Sequence, residues 1–189
     1  RFTGGLGLTT VMSCMVFSGV SGSAVADASA LGKVLIPGMK RQGYDSGFAA
    51  SVTAAASVMG PIIPPSIPLV IYGLSVGKGV SVAALFLGGV VPGLMLALGL
   101  SIVVYLIAKK RNYPKHEAVP FRQLVSAAGQ AGWALFMPVL ILVGITGGVV
   151  TVTESAAIAV LYAAFVGMVI HRELTFRNIG PIFVQTALD

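Results

Sequence analysis

Gly60-Pro-Ile-Ile-Pro-Pro-Ser-Ile-Pro68 places four prolines inside a run that otherwise has the composition of a membrane helix. Each proline removes a backbone N–H donor, and its ring clashes with the preceding turn, so a continuous helix is not expected to pass through. In hydrocarbon, the freed backbone groups are tolerated only where protein buries them or where they line a polar cavity. Secondary transporters build ion and substrate sites at such breaks. The stretch therefore predicts a broken membrane helix that serves transport.

The composition is that of an integral membrane protein. Of the 189 residues, 56% are hydrophobic and only 10% are charged, against about 25% charged in a typical soluble domain. The net charge of +6 comes from short basic clusters at the ends of apolar runs, as membrane topology requires. Because the sequence has no basic groove with interleaved aromatics, we expect contact with the lipid bilayer and not with nucleic acid. Arg1 stands directly before an apolar run and no basic tail follows Asp189, so we expect a piece of a larger membrane protein.

Residues 2–36 form an apolar tract of small residues that Ser18-Gly-Val-Ser-Gly-Ser-Ala24 divides into two halves. A helix of about 17 residues, the length of each half, barely crosses a hydrocarbon core of about 30 Å. Arg1 precedes the tract and Lys33, Lys40 and Arg41 lie at its far end, so the positive-inside rule places both ends in the cytoplasm. This pattern favours an all-α, re-entrant helical hairpin that turns at residues 18–24. The alternative is one long crossing over residues 2–31.

The remainder of the chain predicts further helices of a polytopic membrane protein. Gln42-Gly-Tyr-Asp45 is a turn in which Asp45 caps the next helix. We predict half-helices over 46–60 and 66–76, a helix over 80–108 with a kink at Pro92, and two helices over 132–147 and 154–170. The basic stretch 109–115 is predicted to be cytoplasmic, and a surface or amphipathic connector follows over 118–131. Thr151 and Glu154 stand at the spacing of a capping box.

The chemistry is expected at the hairpin tip and at the proline break. The tip offers backbone carbonyls and serine hydroxyls from Ser18, Gly19, Ser21, Gly22 and Ser23; such hard oxygen donors suit Na⁺, although Gly/Ser tracts also serve simply to pack membrane helices. The break frees carbonyls over residues 58–63 and opens a helix N-terminus near Ser66, where an anion is favoured. Four prolines in so short a stretch favour function over a structural kink.

The ionisable and nucleophilic side chains do not form a catalytic set, so no enzyme is predicted. Asp27 is the only acid within residues 2–44; an intramembrane acid indicates function, and a capping or packing role, with hydrogen bonds from Ser21 to Ser23, is the alternative. Glu154 is interpreted as a helix cap. Cys14 is interpreted as a buried packing residue, and His116 and His171 have no partners at metal-ligand spacing.

Several motifs, in order along the chain, closely resemble the large membrane subunit (M, or DctM-like) of TRAP transporters. They are Phe2-Thr-Gly-Gly-Leu, Ser18-Gly-Val-Ser-Gly-Ser-Ala-Val-Ala-Asp-Ala28, Ile36-Pro-Gly-Met-Lys-Arg-Gln-Gly-Tyr44, Ala54-Ala-Ala-Ser-Val-Met-Gly-Pro-Ile-Ile-Pro-Pro-Ser66 and Gly147-Gly-Val-Val-Thr-Val-Thr-Glu-Ser-Ala-Ala157. The resemblance covers essentially the whole chain. A second hairpin and a second proline break do not appear before residue 189, so the chain is similar to the central portion of that subunit.

The resemblance implies Na⁺-coupled uptake of an organic acid, such as sialic acid or a C4-dicarboxylate, across the bacterial inner membrane. It implies a periplasmic substrate-binding P protein, a small membrane Q subunit, and the elevator fold of the ion-transporter superfamily. By position, it implies a Na⁺ site at Ser21, Gly22, Ser23, Gly60, Ile63 and Pro64. It further implies substrate contacts at Ser21, Ser23, Asp27, Pro65 and Ser66.

The same resemblance divides the chain into four regions. Residues 1–78 correspond to the hairpin and broken helix of the first repeat of the transport domain, and 79–108 to a transmembrane helix. Residues 109–131 correspond to a cytoplasmic basic loop and connector, and 132–189 to the truncated start of the second repeat. The rival functions are a related secondary transporter without a binding protein, and a passive channel or structural membrane subunit.

Overall fold

The computed structural model of the protein describes residues 4–77, 79–113, 121–172, 174–175 and 180–181. Every regular element in these residues is helical, which confirms the all-α prediction for them. The helices are α1 (Gly5–Ser21), α2 (Ala24–Arg41), α3 (Ser46–Ser57), α4 (Ile67–Val76), α5 (Val82–Lys110), α6 (Phe121–Thr146) and α7 (Val152–Phe165), which continues as a π-helix over Val166–Ile170. The chain divides into two compact units, Arg1–Val125 and Ser126–Asp189.

The predicted hairpin is present as two helices with a two-residue turn. Gly22 ends α1 in the left-handed conformation, with φ 61°, and its N–H donates to the Ser18 carbonyl at 3.1 Å. Ser23 then caps α2, because its hydroxyl accepts from the Ala26 N–H. The alternative of a single long crossing over residues 2–31 is therefore wrong. The second helix is longer than predicted: it passes through Pro37 and ends at Arg41.

The broken helix is also present: its first half ends three residues earlier than predicted, its second half begins one residue later, and the other two bounds agree. Asp45 caps α3 by accepting from the Phe48 N–H at 2.9 Å, and α3 ends at Ser57. Residues 58–65 form successive turns, and Ser66 caps α4. The helices α1, α2, α3 and α5 bury a shared apolar core that includes Val11, Met39, Val52, Met59 and Val104.

The end of this first unit is closed by an aromatic cluster. The rings of Tyr44 and Tyr113 stack at 4.5 Å between centroids, and Phe48 lies 5.1 Å from Tyr113. Arg111 forms an ion pair with Asp45 at 3.7 Å, and burial raises the pKa of the Tyr44 hydroxyl. The α2–α3 turn is thereby joined to the last turn of α5.

The second unit contains the larger part of α6, together with α7. The helix predicted over 132–147 begins earlier than predicted, because α6 runs unbroken from Phe121 through Pro138 to Thr146 and so includes most of the predicted connector over 118–131. The predicted capping box is confirmed: Glu154 accepts from the Thr151 N–H at 2.7 Å, and the Thr151 hydroxyl accepts from the Glu154 N–H. Tyr162 of α7 donates to the Trp133 carbonyl of α6 at 2.7 Å.

Two helices in the described residues are long and apolar enough to cross a membrane: Val82–Lys110 and Val152–Ile170. The first is α5, which continues through Pro92, the residue at which the sequence predicts a kink. Lys78, residues 114–120 with His116, and most of 176–189 with Arg177 lie outside the described residues, so the predictions that concern them have no structural counterpart here.

Candidate functional site at the hairpin tip and helix break

The hairpin tip lies directly against the proline break. The Ile67 N–H donates to the Gly22 carbonyl at 3.4 Å, and a methyl group built on Gly22 would lie 2.8 Å from the Pro65 carbonyl oxygen. On the other side, a methyl group on Gly60 would lie 2.9 Å from the carbonyl carbon of Ser23. The two loops approach so closely because the contact positions have no side chains.

Asp27 lies fully buried beneath this junction. The Ser18 hydroxyl donates to its carboxylate at 2.8 Å, and the Ser21 hydroxyl donates to the other carboxylate oxygen. A methyl group on Gly60 would lie 3.0 Å from Asp27 Oδ2, so the carboxylate also borders the break. The hydrogen bonds from serines of the tip agree with the packing role predicted for Asp27. Its position beside the proline break is also the one that the functional role requires.

Ser66 is turned into the break. Its hydroxyl donates to the Pro61 carbonyl at 2.6 Å and accepts from the Leu69 N–H at 3.3 Å, while the residue is 1% exposed. In this arrangement, its proton is already engaged, so an anionic substrate has to compete with the Pro61 carbonyl for it.

Part of the break leaves backbone oxygens available. Among the residues that the structure describes, no hydrogen bond reaches the carbonyls of Val58, Gly60 and Ile63. In the described residues the Ile62 carbonyl likewise accepts no hydrogen bond, whereas the Met59 carbonyl accepts from the N–H groups of both Ile62 and Ile63, and the Pro61 carbonyl accepts from the Ser66 hydroxyl. Free carbonyls in a water-poor setting are the hard ligands that suit an alkali cation.

The structure brings most of the predicted site residues to one junction. Gly22, Gly60, Pro65 and Ser66 make the contacts between the tip and the break, and Ser21, Ser23 and Asp27 are joined to them through the tip. Ile63 differs, because its side chain lies against Gly93 of α5 and not against the tip. Its proposed role therefore rests on its backbone carbonyl. Pro64 is buried within the break.

Sequence reasoning missed several residues of this junction. Ser18 was predicted as part of the tip but not as a partner of Asp27, which lies nine positions further along the chain. Gly89 and Gly93 of α5 were not singled out, although the pair lies within Gly88-Gly-Val-Val-Pro-Gly93 of an apolar helix; such spacing of small residues is a known sign of close helix approach.

The other candidate residues contribute no second site. Cys14 is buried, as predicted, and His171 is exposed. No group of three histidine, cysteine or acidic side chains lies close enough to hold a metal ion within the residues that could be searched.

The family described as the tripartite ATP-independent periplasmic transporter DctM component matches residues 1–188. The chain is 44% identical over 188 residues to a C4-dicarboxylate TRAP transporter large permease protein of Vibrio cholerae. It is 40% identical over 179 residues to a sialic acid TRAP transporter permease protein of Haemophilus influenzae, and 41% identical over 186 residues to an isethionate TRAP transporter permease protein of Oleidesulfovibrio alaskensis.

The matches cover almost all of this chain but less than half of each relative. The aligned residues are 97%, 95% and 97% of this chain in the order given, and 41%, 29% and 29% of the relatives. These relatives are transporter subunits and not enzymes, which confirms that part of the sequence prediction.

Proposed function

We propose that this chain, which belongs to the DctM component family of tripartite ATP-independent periplasmic transporters, forms the tip-and-break half of a Na⁺-coupled organic-acid permease. The observation that carries the proposal is the contact of the hairpin tip with the proline break, where free carbonyls and a buried carboxylate lie together. A monovalent cation bound there would be held mainly by backbone oxygens. The Na⁺ ligands proposed are Ser21, Gly22, Ser23, Gly60, Ile63 and Pro64.

The organic acid is proposed to bind at the same junction, near Ser21, Ser23, Asp27, Pro65 and Ser66. The N-terminus of α4, capped by Ser66, has the positive dipole end that favours an anion. An ionised Asp27 at this buried position would repel a bare carboxylate, and Na⁺ bound before or together with the substrate would neutralise that repulsion. This order couples uptake to the Na⁺ gradient.

The names of the relatives support an organic anion as the substrate, since they include C4-dicarboxylate, sialic acid and isethionate permeases. Sialic acid and C4-dicarboxylates are the two candidates that we propose for this chain. The word tripartite in the family description supports two further partners, a periplasmic binding protein and a small membrane subunit.

The mechanism proposed is an elevator in the bacterial inner membrane. Residues 1–78 would form the first-repeat part of the transport domain, with the hairpin entering from the cytoplasmic side. Residues 79–108 would cross the membrane, 109–131 would hold the cytoplasmic basic loop and the link into α6, and 132–189 would begin the second repeat. The two apolar spans support insertion in a bilayer.

The test is uptake of labelled sialic acid and of labelled succinate into vesicles that contain the full-length permease and its small subunit. We expect uptake only with an inward Na⁺ gradient and with the binding protein. Uptake with Na⁺ but without the binding protein would favour a related transporter of another type. Downhill movement without any gradient would indicate a passive channel.

A matched pair of variants tests the site within that assay. Ser23→Leu places a bulky group at the turn, whereas Ser29→Leu places the same group on an exposed position of α2. We expect Na⁺-driven uptake to be lost in the first variant only. Equal activity of the two variants would refute the assignment of the site.

A further inference from the structure

Helix α5 crosses the proline break on two glycines one helical turn apart. A methyl group on Gly89 would overlap the carbonyl oxygen of Ile62. A methyl group on Gly93 would lie 2.5 Å from Cγ1 of Ile63. Positions i and i+4 share one face of a helix, so the break rests on a notch that both glycines form in α5.

The close approach belongs to this face alone and is not a general property of the helix. Nothing lies within 4 Å of a methyl group built on Gly88 or on Gly99. The notch also meets the second half of the broken helix, because the methyl on Gly89 would lie 3.3 Å from a terminal carbon of Leu69 in α4. A continuous helix thus supports the break at the residues beside its free carbonyls.

We propose that Gly89 and Gly93 are positioning residues for the ion site, because they fix the Ile62–Ile63 backbone at the distance from α5 that holds the rest of the break, with Gly60 and Pro65, against the hairpin tip. This inference rests on the proposed function. The tip supports the break from one side through Gly22 and Gly60, and α5 supports it from the other. A side chain at either glycine would push the break towards the tip and disturb the ion ligands.

The first experiment compares Gly89→Ala with Gly88→Ala in the full-length permease, reconstituted with its small subunit and binding protein. The alanine at 89 meets a backbone oxygen, which cannot retreat unless the break shifts, and shifts of about 1 Å in a site cost up to about a hundredfold in activity. We expect the Na⁺ concentration for half-maximal uptake to rise by about tenfold in Gly89→Ala. In Gly88→Ala it should stay at the wild-type value. The amount of folded protein is measured alongside by size-exclusion chromatography.

The second experiment uses the difference between the two contacts. Gly93→Ala meets a side chain, and Ile63→Ala removes the two carbon atoms that lie at 2.5 and 3.3 Å, leaving one at 3.7 Å. In a double-mutant cycle, we expect Gly93→Ala to raise the Na⁺ half-saturation concentration and the added Ile63→Ala to restore most of it. Ile63→Ala should not lower the Na⁺ half-saturation concentration of Gly89→Ala, because the added methyl group at position 89 meets the backbone carbonyl of Ile62 and not the Ile63 side chain.

The outcomes separate this inference from the proposed function. Wild-type uptake that ignores Na⁺ refutes the proposed function. Na⁺-driven wild-type uptake, together with an unchanged half-saturation concentration in folded Gly89→Ala and Gly93→Ala, refutes the positioning role alone. If Gly89→Ala does not fold, the double-mutant cycle at Gly93 and Ile63 tests the positioning role. A Na⁺ half-saturation concentration that stays raised when Ile63→Ala is added to Gly93→Ala would overturn the proposal.

Discussion

Prolines occur in two very different settings in this molecule. Pro92 lies within α5, which continues as a helix for 29 residues, and Pro37 and Pro138 lie likewise within α2 and α6. The prolines of 60–68 instead end one helix at Ser57 and delay the next until Ile67. A single proline removes one hydrogen bond, and the rest of the helix continues. A cluster removes several donors in succession, so the backbone leaves the helical path.

The difference also lies in what surrounds each proline. Pro92 is exposed on α5, whereas the break is enclosed by Gly22 and Ser23 on the tip side and by Gly89 and Gly93 on the α5 side. The shape of the break therefore depends on its neighbours, whereas α5 continues through Pro92 as a helix. This contrast predicts large effects where the enclosing contacts are changed and small ones in α5 away from them.

The largest effect is expected from Gly22→Ala, which fills the space between the tip and the break. A side chain at a left-handed position such as this costs about 1–2 kcal/mol, and the added methyl would lie 2.8 Å from the Pro65 carbonyl oxygen. We expect the initial rate of Na⁺-driven uptake to fall by about tenfold or more. Gly38→Ala on α2 is the control, because nothing lies within 4 Å of its methyl group. A wild-type rate in Gly22→Ala would mean that the tip and break need not touch.

A slightly smaller effect is expected from Asp27→Asn, which keeps the shape of the buried side chain and removes its charge. We expect the Na⁺ half-saturation concentration to rise by about tenfold, equivalent to about 1.4 kcal/mol of binding free energy. Asp45→Asn is the matched control, since Asp45 caps α3 and asparagine caps a helix as well as aspartate does. Equal Na⁺ dependence of the two variants would place Asp27 in a packing role.

Ser66 and Ser81 cap α4 and α5 in the same way, but only Ser66 lies in the break. The variants Ser66→Ala and Ser81→Ala therefore separate the effect of the break from that of the cap. Each serine accepts from the third helical N–H at 3.3 Å, but only Ser66 also donates to a carbonyl of the break. We expect Ser66→Ala to lower the free energy of unfolding by about 1–2 kcal/mol more than Ser81→Ala, because it leaves the Pro61 carbonyl without its donor. The measurement is unfolding of the purified permease in detergent. Equal losses would show that the Pro61 bond adds nothing.

The smallest effect is expected from Pro92→Ala. The residue is exposed within a continuous helix, so we expect the free energy of unfolding to change by no more than about 0.5 kcal/mol and the uptake rate to stay at the wild-type value. Pro64→Ala, by contrast, should reduce Na⁺-driven uptake, because the buried break loses one of the residues that keep it from becoming helical. A loss of uptake in Pro92→Ala would indicate that the proline helps to place Gly89 and Gly93 against the break.

The sequence was enough to predict the elements that local chemistry determines. The sequence predicts a turn within residues 18–24, the caps at Asp45 and Thr151 and the interruption at 60–68, because each depends on residues a few positions apart. The turn is shorter than predicted, since α1 continues to Ser21 and α2 begins at Ala24. The end of α2 and the start of α6 were not predicted. Helix α2 continues to Arg41, beyond the end of the apolar tract at residue 36, and α6 begins eleven residues before the predicted helix over 132–147. The apolar pattern marks neither of these ends, because polar residues with good helix propensity continue both helices.

The sequence pattern does not predict which distant parts of the chain contact each other. The pairing of Ser18 with Asp27 depends on how the two hairpin helices rotate against each other. The notch in α5 depends on which face of an almost uniformly apolar helix meets the break. Periodicity gives no preferred face when nearly every position is apolar.

The two glycines of α5 also differ in how freely they can change over evolutionary time. Position 93 faces the branched side chain of Ile63, so a larger residue there becomes acceptable once residue 63 shrinks. The two positions should therefore vary together among descendants of this protein. Position 89 faces a carbonyl, which every amino acid carries, so no substitution at its partner can make room. Lineages can drift at one contact and remain fixed at the other.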